Sequence, residues 1–239
     1  MKEENPFEDQ RGAEEWIQAV ENERGTIRDK EIYPQLAEWI NTYKIKTLAD
    51  IGSGQGICST KLGSDDVHYI GIEPSQFLIT RANEIYKKSN REFIRGDAYK
   101  IPLPDNSVDG FISVTTWFHL ADLEKATKEL SRVLCSGGHF MLITPNPNAY
   151  DIWETFYTDT KKEEGVLIGK TNILLNPDEG PENYKFAHLS KNIFYLHTKE
   201  QILEPLATNG LEVDKLEEIG ILPITEGKKI FLKILGHKP

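Results

Sequence analysis

Apolar positions along this chain change their period partway through. Between Glu14 and Tyr43 they recur at helical spacing, with Trp16, Ile17 and Val20 in one stretch and Ile32, Leu36, Trp39, Ile40 and Tyr43 in the next. That spacing puts them on one face of a helix. It predicts helices over Glu14–Asn22 and Asp29–Tyr43, with Pro34 near the first turn of the second. From Lys46 onward the apolar residues gather into short runs: Lys46–Ile51, Val67–Ile72, Arg91–Arg95, Val108–Val114 and His139–Ile143. Such runs read as strands buried on both faces. Helical patterns fall between them, at Ile57–Leu62, Gln76–Lys88 and Leu123–Leu134, the last closed by Ser136-Gly137-Gly138. Strands alternating with helices imply a parallel sheet with right-handed crossovers.

The rhythm breaks twice. The segment 145–197 fits neither period and reads as an insertion. Tyr150, Trp153, Phe156 and Tyr157 within it are spaced as one face of a helix, and Phe194 and Tyr195 follow later. A helix over Thr198–Asn209, with Thr198 and Gln201 as a capping box, ends at Gly210. Two strands, Leu211–Ile219 and Lys229–Leu235, then follow without a helix between them.

The first strand runs into Asp50-Ile51-Gly52-Ser53-Gly54-Gln55-Gly56. A glycine-rich loop at the carboxyl end of a buried strand serves nucleotide-like ligands in open α/β sheets. A dinucleotide fingerprint would place its third glycine at position 57, where Ile57 stands, and no P-loop sequence occurs. An acid at the strand end suits a cationic ligand better than a diphosphate.

Composition narrows the picture further. A chain of 239 residues has the size of one elaborated domain. No apolar run reaches the roughly 18 residues a spanning helix needs, and the acidic, polar first stretch is not a secretory signal. Cys58 and Cys135 form no metal or disulfide framework and fit a cytoplasmic location. A net charge of −10 argues against general nucleic-acid binding. Two histidines, His188 and His197, near Asn183–Phe186 are weak evidence for a metal, and none is expected.

Gly52, Gly54 and Gly56 after the strand resemble motif I of the class I S-adenosylmethionine-dependent methyltransferases, and the chain looks like their type 11-like, small-molecule subgroup. The resemblance implies a Rossmann-like seven-stranded, mostly parallel sheet with one antiparallel strand, helices on both faces and a helical cap. The core would be 44–144 and 198–239, with an N-terminal cap over 1–43 and a substrate insertion over 145–197. S-adenosyl-L-methionine would be the cofactor and S-adenosyl-L-homocysteine its product. The loop residues Asp50, Gly52, Ser53, Gly54 and Gly56 would cradle the cofactor. Glu73, about 20 residues beyond Gly52, would take the ribose diol, with Pro74 and Ser75 bordering the adenine. Asp97 and Ala98 would read the adenine edge, and Ser113, Val114 and Thr115 would hold the methionine end.

The rest of the site is more open. His119 reads either as a general base or as a residue that packs and caps at the next helix. Trp16, Tyr33, Trp117, Tyr150 and Trp153 are candidates to roof a substrate cleft, and Arg24 or Arg28 to meet a carboxylate. Asn146-Pro147-Asn148-Ala149-Tyr150 only faintly resembles the Asn-Pro-Pro-Tyr element of amino-directed DNA methyltransferases and reads as a loop. The acceptor expected is a small molecule, with no nucleic acid and no membrane span, and the protein a monomer or homodimer. Three rivals stand beside this: a regulatory module that binds cofactor without catalysis, a methyltransferase acting on protein or RNA, and a nicotinamide-dependent oxidoreductase, which Ile57 disfavours.

Overall fold

The computed structural model describes residues 6–22, 27–154, 157–164, 166–171, 193–221 and 227–239. Arg24, Phe156 and the segment 183–188 lie outside them.

Each apolar run of the first half becomes a strand: β1 (Thr47–Ile51), β2 (His68–Glu73), β3 (Arg91–Arg95), β4 (Val108–Val114) and β5 (Leu134–Pro145). The insertion contributes β6 (Tyr157–Glu163), β7 (Val166–Thr171) and β8 (Ile193–Leu196), and the last part of the chain β9 (Glu212–Ile221) and β10 (Lys229–His237). The main sheet has the order β3-β2-β1-β4-β5-β10-β9. Its first five strands pair in parallel, and β10 runs antiparallel to both of its neighbours. The sheet is thus the seven-stranded, mostly parallel form with one reversed strand.

Alternation along the strands divides the core. Leu48, Tyr69 and Ile112 face one side, packed with Leu36, Trp39 and Ile40 of α2 (Tyr33–Tyr43) and Ile79 and Ala82 of α3 (Gln76–Tyr86), all buried. Ala49, Ile70 and Phe111 face the other, against Ala126 and Leu130 of α4 (Leu123–Val133) and Ile202 and Leu206 of α6 (Lys199–Thr208). A strand residue and its neighbour point to opposite faces, so unbroken apolar runs are what a two-sided sheet requires. The N-terminal α1 (Gln10–Asn22) follows a 3-10 turn, Pro6–Glu8, and the short α5 (Tyr150–Glu154) opens the insertion.

Three local expectations come out differently. Ile57–Leu62 forms only a 3-10 turn, Ile57–Thr60. Its β-branched and hydroxyl residues are poor helix formers, and Ser59 Oγ and Thr60 Oγ1 donate to the carbonyls of Gly56 and Ile57 at 2.7 and 2.8 Å. The pair Gly137-Gly138 does not cap α4, because β5 starts directly at Leu134. Those glycines lie within the strand, bonded to Lys238 at 2.7 and 2.9 Å. The aromatic spacing at 150–157 is not one helix face: α5 ends at Glu154 and β6 begins at Tyr157. The insertion adds a three-stranded antiparallel sheet, β6-β7-β8, to the helices.

Candidate functional site

The carboxyl ends of β1, β2 and β4 meet beneath a cavity of about 340 Å³. The loop after β1 hugs its floor because its glycines adopt a backbone that side chains resist. Gly52 has φ +75°, and a Cβ there would lie 2.1 Å from Thr116 Oγ1. Gly56 has φ +84°, and its Cβ would meet the Phe93 ring at 2.6 Å. The first glycine opens space at the cavity, whereas the last lets the loop pack on β3.

Two buried carboxylates end the central strands. The backbone N–H groups of Ser75 and Gly54 donate to Glu73 Oε1 and Oε2 at 3.0 and 3.1 Å, so the acid on β2 also ties down the glycine loop. Burial pushes its carboxyl up to about 7, against the pull of those two bonds. Asp50 is 2% exposed and accepts a hydrogen bond from the Tyr69 hydroxyl; burial raises it to about 6 despite bonds from Tyr69 and Cys58. Buried acids without a cation resist ionisation, so both await positive charge or strong donors.

Asp97 follows β3, with Oδ1 accepting from the N–H groups of Tyr99 and Lys100 at 2.8 and 2.9 Å. It lines the cavity with Ala98, Tyr99 and Pro74. Gln55 is 6% exposed and also lines the cavity, and its Oε1 has no hydrogen-bond partner among the described residues. A buried acceptor left unpaired costs about 1–3 kcal/mol, which a ligand donor would recover.

The opposite wall is aromatic. Phe7 lies 5.5 Å from Trp16 and 5.6 Å from His119, edge to face in both cases. His119 also packs against Phe118 and Phe194 at 4.3 and 4.8 Å. Ile193 and Tyr195, two apart on β8, both line the cavity.

The methyltransferase domain family matches residues 49–142, the segment that carries β1 to β5 and every carboxylate above. That segment, rather than the whole chain, carries the likeness to the methyltransferase domain family.

An uncharacterised methyltransferase of Schizosaccharomyces pombe is 32% identical over 119 residues, 43% of this chain and 43% of its own length. The chain spans less than half the length of the curated relatives it matches. Among solved structures, a Pyrococcus horikoshii protein superposes with TM-score 0.65 at 18% identity, covering 98% of this chain and 96% of its own. A Haloferax volcanii methyltransferase, solved as a complex with the Trm112 methyltransferase activator, gives TM-score 0.64 at 17% identity, covering 97% and 98%.

The cavity brings together Asp50, Gly52, Ser53, Gly54, Glu73, Pro74, Asp97, Ala98, Val114, Thr115, His119, Trp16 and Tyr33. Other candidates lie elsewhere. Gly56 packs on Phe93, Ser75 caps α3 by accepting from the Leu78 N–H, and Ser113 Oγ donates to the Ile51 carbonyl at 3.0 Å. Trp117 is buried with α4 on the far face of the sheet. Trp153 donates from Nε1 to the Ile230 carbonyl at 2.9 Å and packs on Phe231, and the Tyr150 hydroxyl donates to the His197 carbonyl. Asn146 is structural, bonding the Lys229 carbonyl through Nδ2 at 2.8 Å. His197 is buried, with Nε2 2.7 Å from the Leu120 carbonyl.

Sequence reasoning missed Phe7, Gln55, Cys58, Tyr99, Ile193 and Tyr195 as wall residues. The unbroken apolar run Ile193-Phe194-Tyr195-Leu196 is a readable strand signal for two of them. Among the described residues no group of three or more His, Cys, Asp or Glu is arranged to hold a metal, and no helix is long and apolar enough to cross a membrane.

Proposed function

We propose that this domain binds S-adenosyl-L-methionine and directs its methyl group to a small-molecule acceptor. The observation that carries the reading is the pair of buried, protonation-prone carboxylates, Asp50 and Glu73, flanking a positive-φ glycine loop at one cavity. Ribose hydroxyls would donate to Glu73, and an ammonium to Asp50. The unpaired Gln55 Oε1 and the Asp97 carboxylate offer further acceptors to a nucleoside.

The bound cofactor supplies a methyl group on a sulfonium, an electrophile that needs no further activation. The chain's own contribution is alignment and dryness. Phe7, Trp16, Ile193 and Tyr195 would exclude water and hold an apolar acceptor over the sheet ends. His119 would take the proton that an oxygen or nitrogen acceptor gives up as it is methylated.

Calorimetric titration with S-adenosylmethionine and S-adenosylhomocysteine tests the cofactor. Binding in the micromolar range, weakened about 10-fold or more by Glu73→Ala, supports it, and no binding rejects it. Turnover with a labelled methyl group then tests His119. His119→Ala should lower kcat about 100-fold and leave cofactor Kd unchanged; full activity across pH removes the histidine from the mechanism. The Haloferax neighbour's complex with an activator favours a second reading, in which a protein partner and a larger acceptor are needed. Cofactor binding without methylation of any small acceptor would turn to it.

A further inference from the structure

One buried side chain joins the inserted sheet to the turn that carries His119. β8 ends at Leu196, and His197 follows it, 6% exposed. Its Nε2 lies 2.7 Å from the Leu120 carbonyl. A carbonyl oxygen can only accept, so the ring donates there and carries a proton on Nε2. Burial pushes the ring below the ordinary histidine range, against the pull of that bond, and keeps it neutral. The Leu120 carbonyl needs such a donor. Leu120 is buried and lies between the 3-10 turn Trp117–His119 and α4, outside any strand ladder. A buried backbone acceptor left alone is costly.

The imidazole is fixed from several directions. The Tyr150 hydroxyl donates to the His197 carbonyl. Thr198, next in the chain, caps α6 by accepting from the Gln201 N–H at 3.3 Å. The ring itself stacks on Tyr195, 6.1 Å away and 20° from parallel. One residue earlier on β8, Phe194 stacks on Phe118 at 4.8 Å and 19°. Beyond Leu120 the loop is held again, where the Asp122 N–H donates to the Tyr99 hydroxyl at 3.3 Å. Ile193 and Tyr195 therefore line the cavity while Phe194 and His197 grip the turn beside it.

We propose that His197 is a positioning residue: by holding the Leu120 carbonyl it fixes the His119 turn against β8, so that the His119 imidazole and the β8 wall keep one geometry toward the acceptor. The proposal rests on the reading of His119 as the group that takes the acceptor's proton. Such a group works only where it is held, and a misplacement of about 1 Å can cost about 100-fold in rate. The support comes from residues whose own places are locked by packing and hydrogen bonds.

The test reads His119 by NMR of protein carrying 13C in its histidine rings. Phe118, Phe194 and Phe7, at 4.3, 4.8 and 5.6 Å, displace the His119 signals by their ring currents. His197→Leu should move those signals toward the values of an exposed imidazole. His197→Gln, whose amide nitrogen reaches where Nε2 does, should restore them. Tyr150→Phe frees the His197 carbonyl and should move them the same way by less, which gives a reading even where His197→Leu does not fold. Trp153→Phe loosens the same short helix from β10 and should leave them in place. The Kd for S-adenosylhomocysteine should change by less than about 2-fold in every variant. With an acceptor that turns over, kcat should fall about 10-fold in His197→Leu and recover in His197→Gln. Unmoved His119 signals in His197→Leu and Tyr150→Phe would overturn the proposal, as would a displacement that His197→Gln does not reverse or that Trp153→Phe reproduces. Full activity of His119→Ala would instead remove the base reading beneath it, a result distinct from the His119 spectrum.

Discussion

Consider the affinity for S-adenosylhomocysteine as the pH is lowered from about 8 to about 6. In the free protein, burial holds the Glu73 carboxyl up at about 7 and Asp50 at about 6. On the proposed function the ligand needs both ionised, one to accept from ribose hydroxyls and one to face an ammonium. Each group then multiplies Kd by one plus its ratio of protonated to ionised forms. Over this range Glu73 weakens binding about 10-fold and Asp50 a further factor of about 2, or about 20-fold together. At about pH 7, binding should release about half a proton, read by calorimetry in buffers of different ionisation enthalpy. Glu73→Gln should flatten the larger limb, leaving only the Asp50 component. The ligand-free protein shows the opposite sign. Its folded carboxyls sit above their unfolded values, so the fold binds extra protons and loses stability as pH rises from about 4 through 7. A Kd that moves less than about 3-fold between those pH values, with no buffer dependence, would refute the argument that these acids are buried for this ligand.

Other substitutions separate site from scaffold. Tyr69→Phe removes the hydroxyl bond that lowers the Asp50 carboxyl, so the lower inflection of the binding profile should move to higher pH. Gly56→Ala drives a Cβ against Phe93 at positive φ and should cost about 2–4 kcal/mol in urea unfolding. Trp153→Phe loses the bond to the Ile230 carbonyl and should cost about 1–2 kcal/mol with cofactor Kd unchanged. A changed Kd would return Trp153 to the cavity wall.

The strand-end side of the cavity was legible because it depends on local chain chemistry. A strand that ends in Asp50 and a glycine loop, and one that ends in Glu73, carry their own positions with them. The roof was less legible because spacing does not say which side of a sheet a ring will take. Trp117 follows the same strand end as His119, yet it turns to the α4 face while His119 stays at the cavity. Tyr150 and Trp153 have helical spacing and do lie on a helix, but that helix is pinned to β10 and to His197 rather than to the cavity. Phe7 reaches the site from a turn ahead of α1, where no periodicity exists to announce it. That turn stays close because Gly12 has no Cβ, which would otherwise lie 1.9 Å from the Pro6 carbonyl oxygen.

The order of strands in the main sheet has a consequence for the birth of the protein on the ribosome. β9 precedes β10 in the chain but sits outside it, at the sheet edge. β9 has no ladder partner in the sheet until β10 has emerged and paired with β5. The five parallel strands that carry the acids and the glycine loop can therefore assemble first, leaving β5 as a long, apolar open edge. Such an edge invites pairing with other chains. Synthesis stalled between the two strands should yield a nascent chain with a formed glycine loop and a chaperone-dependent flank, sealed when β10 slides in between.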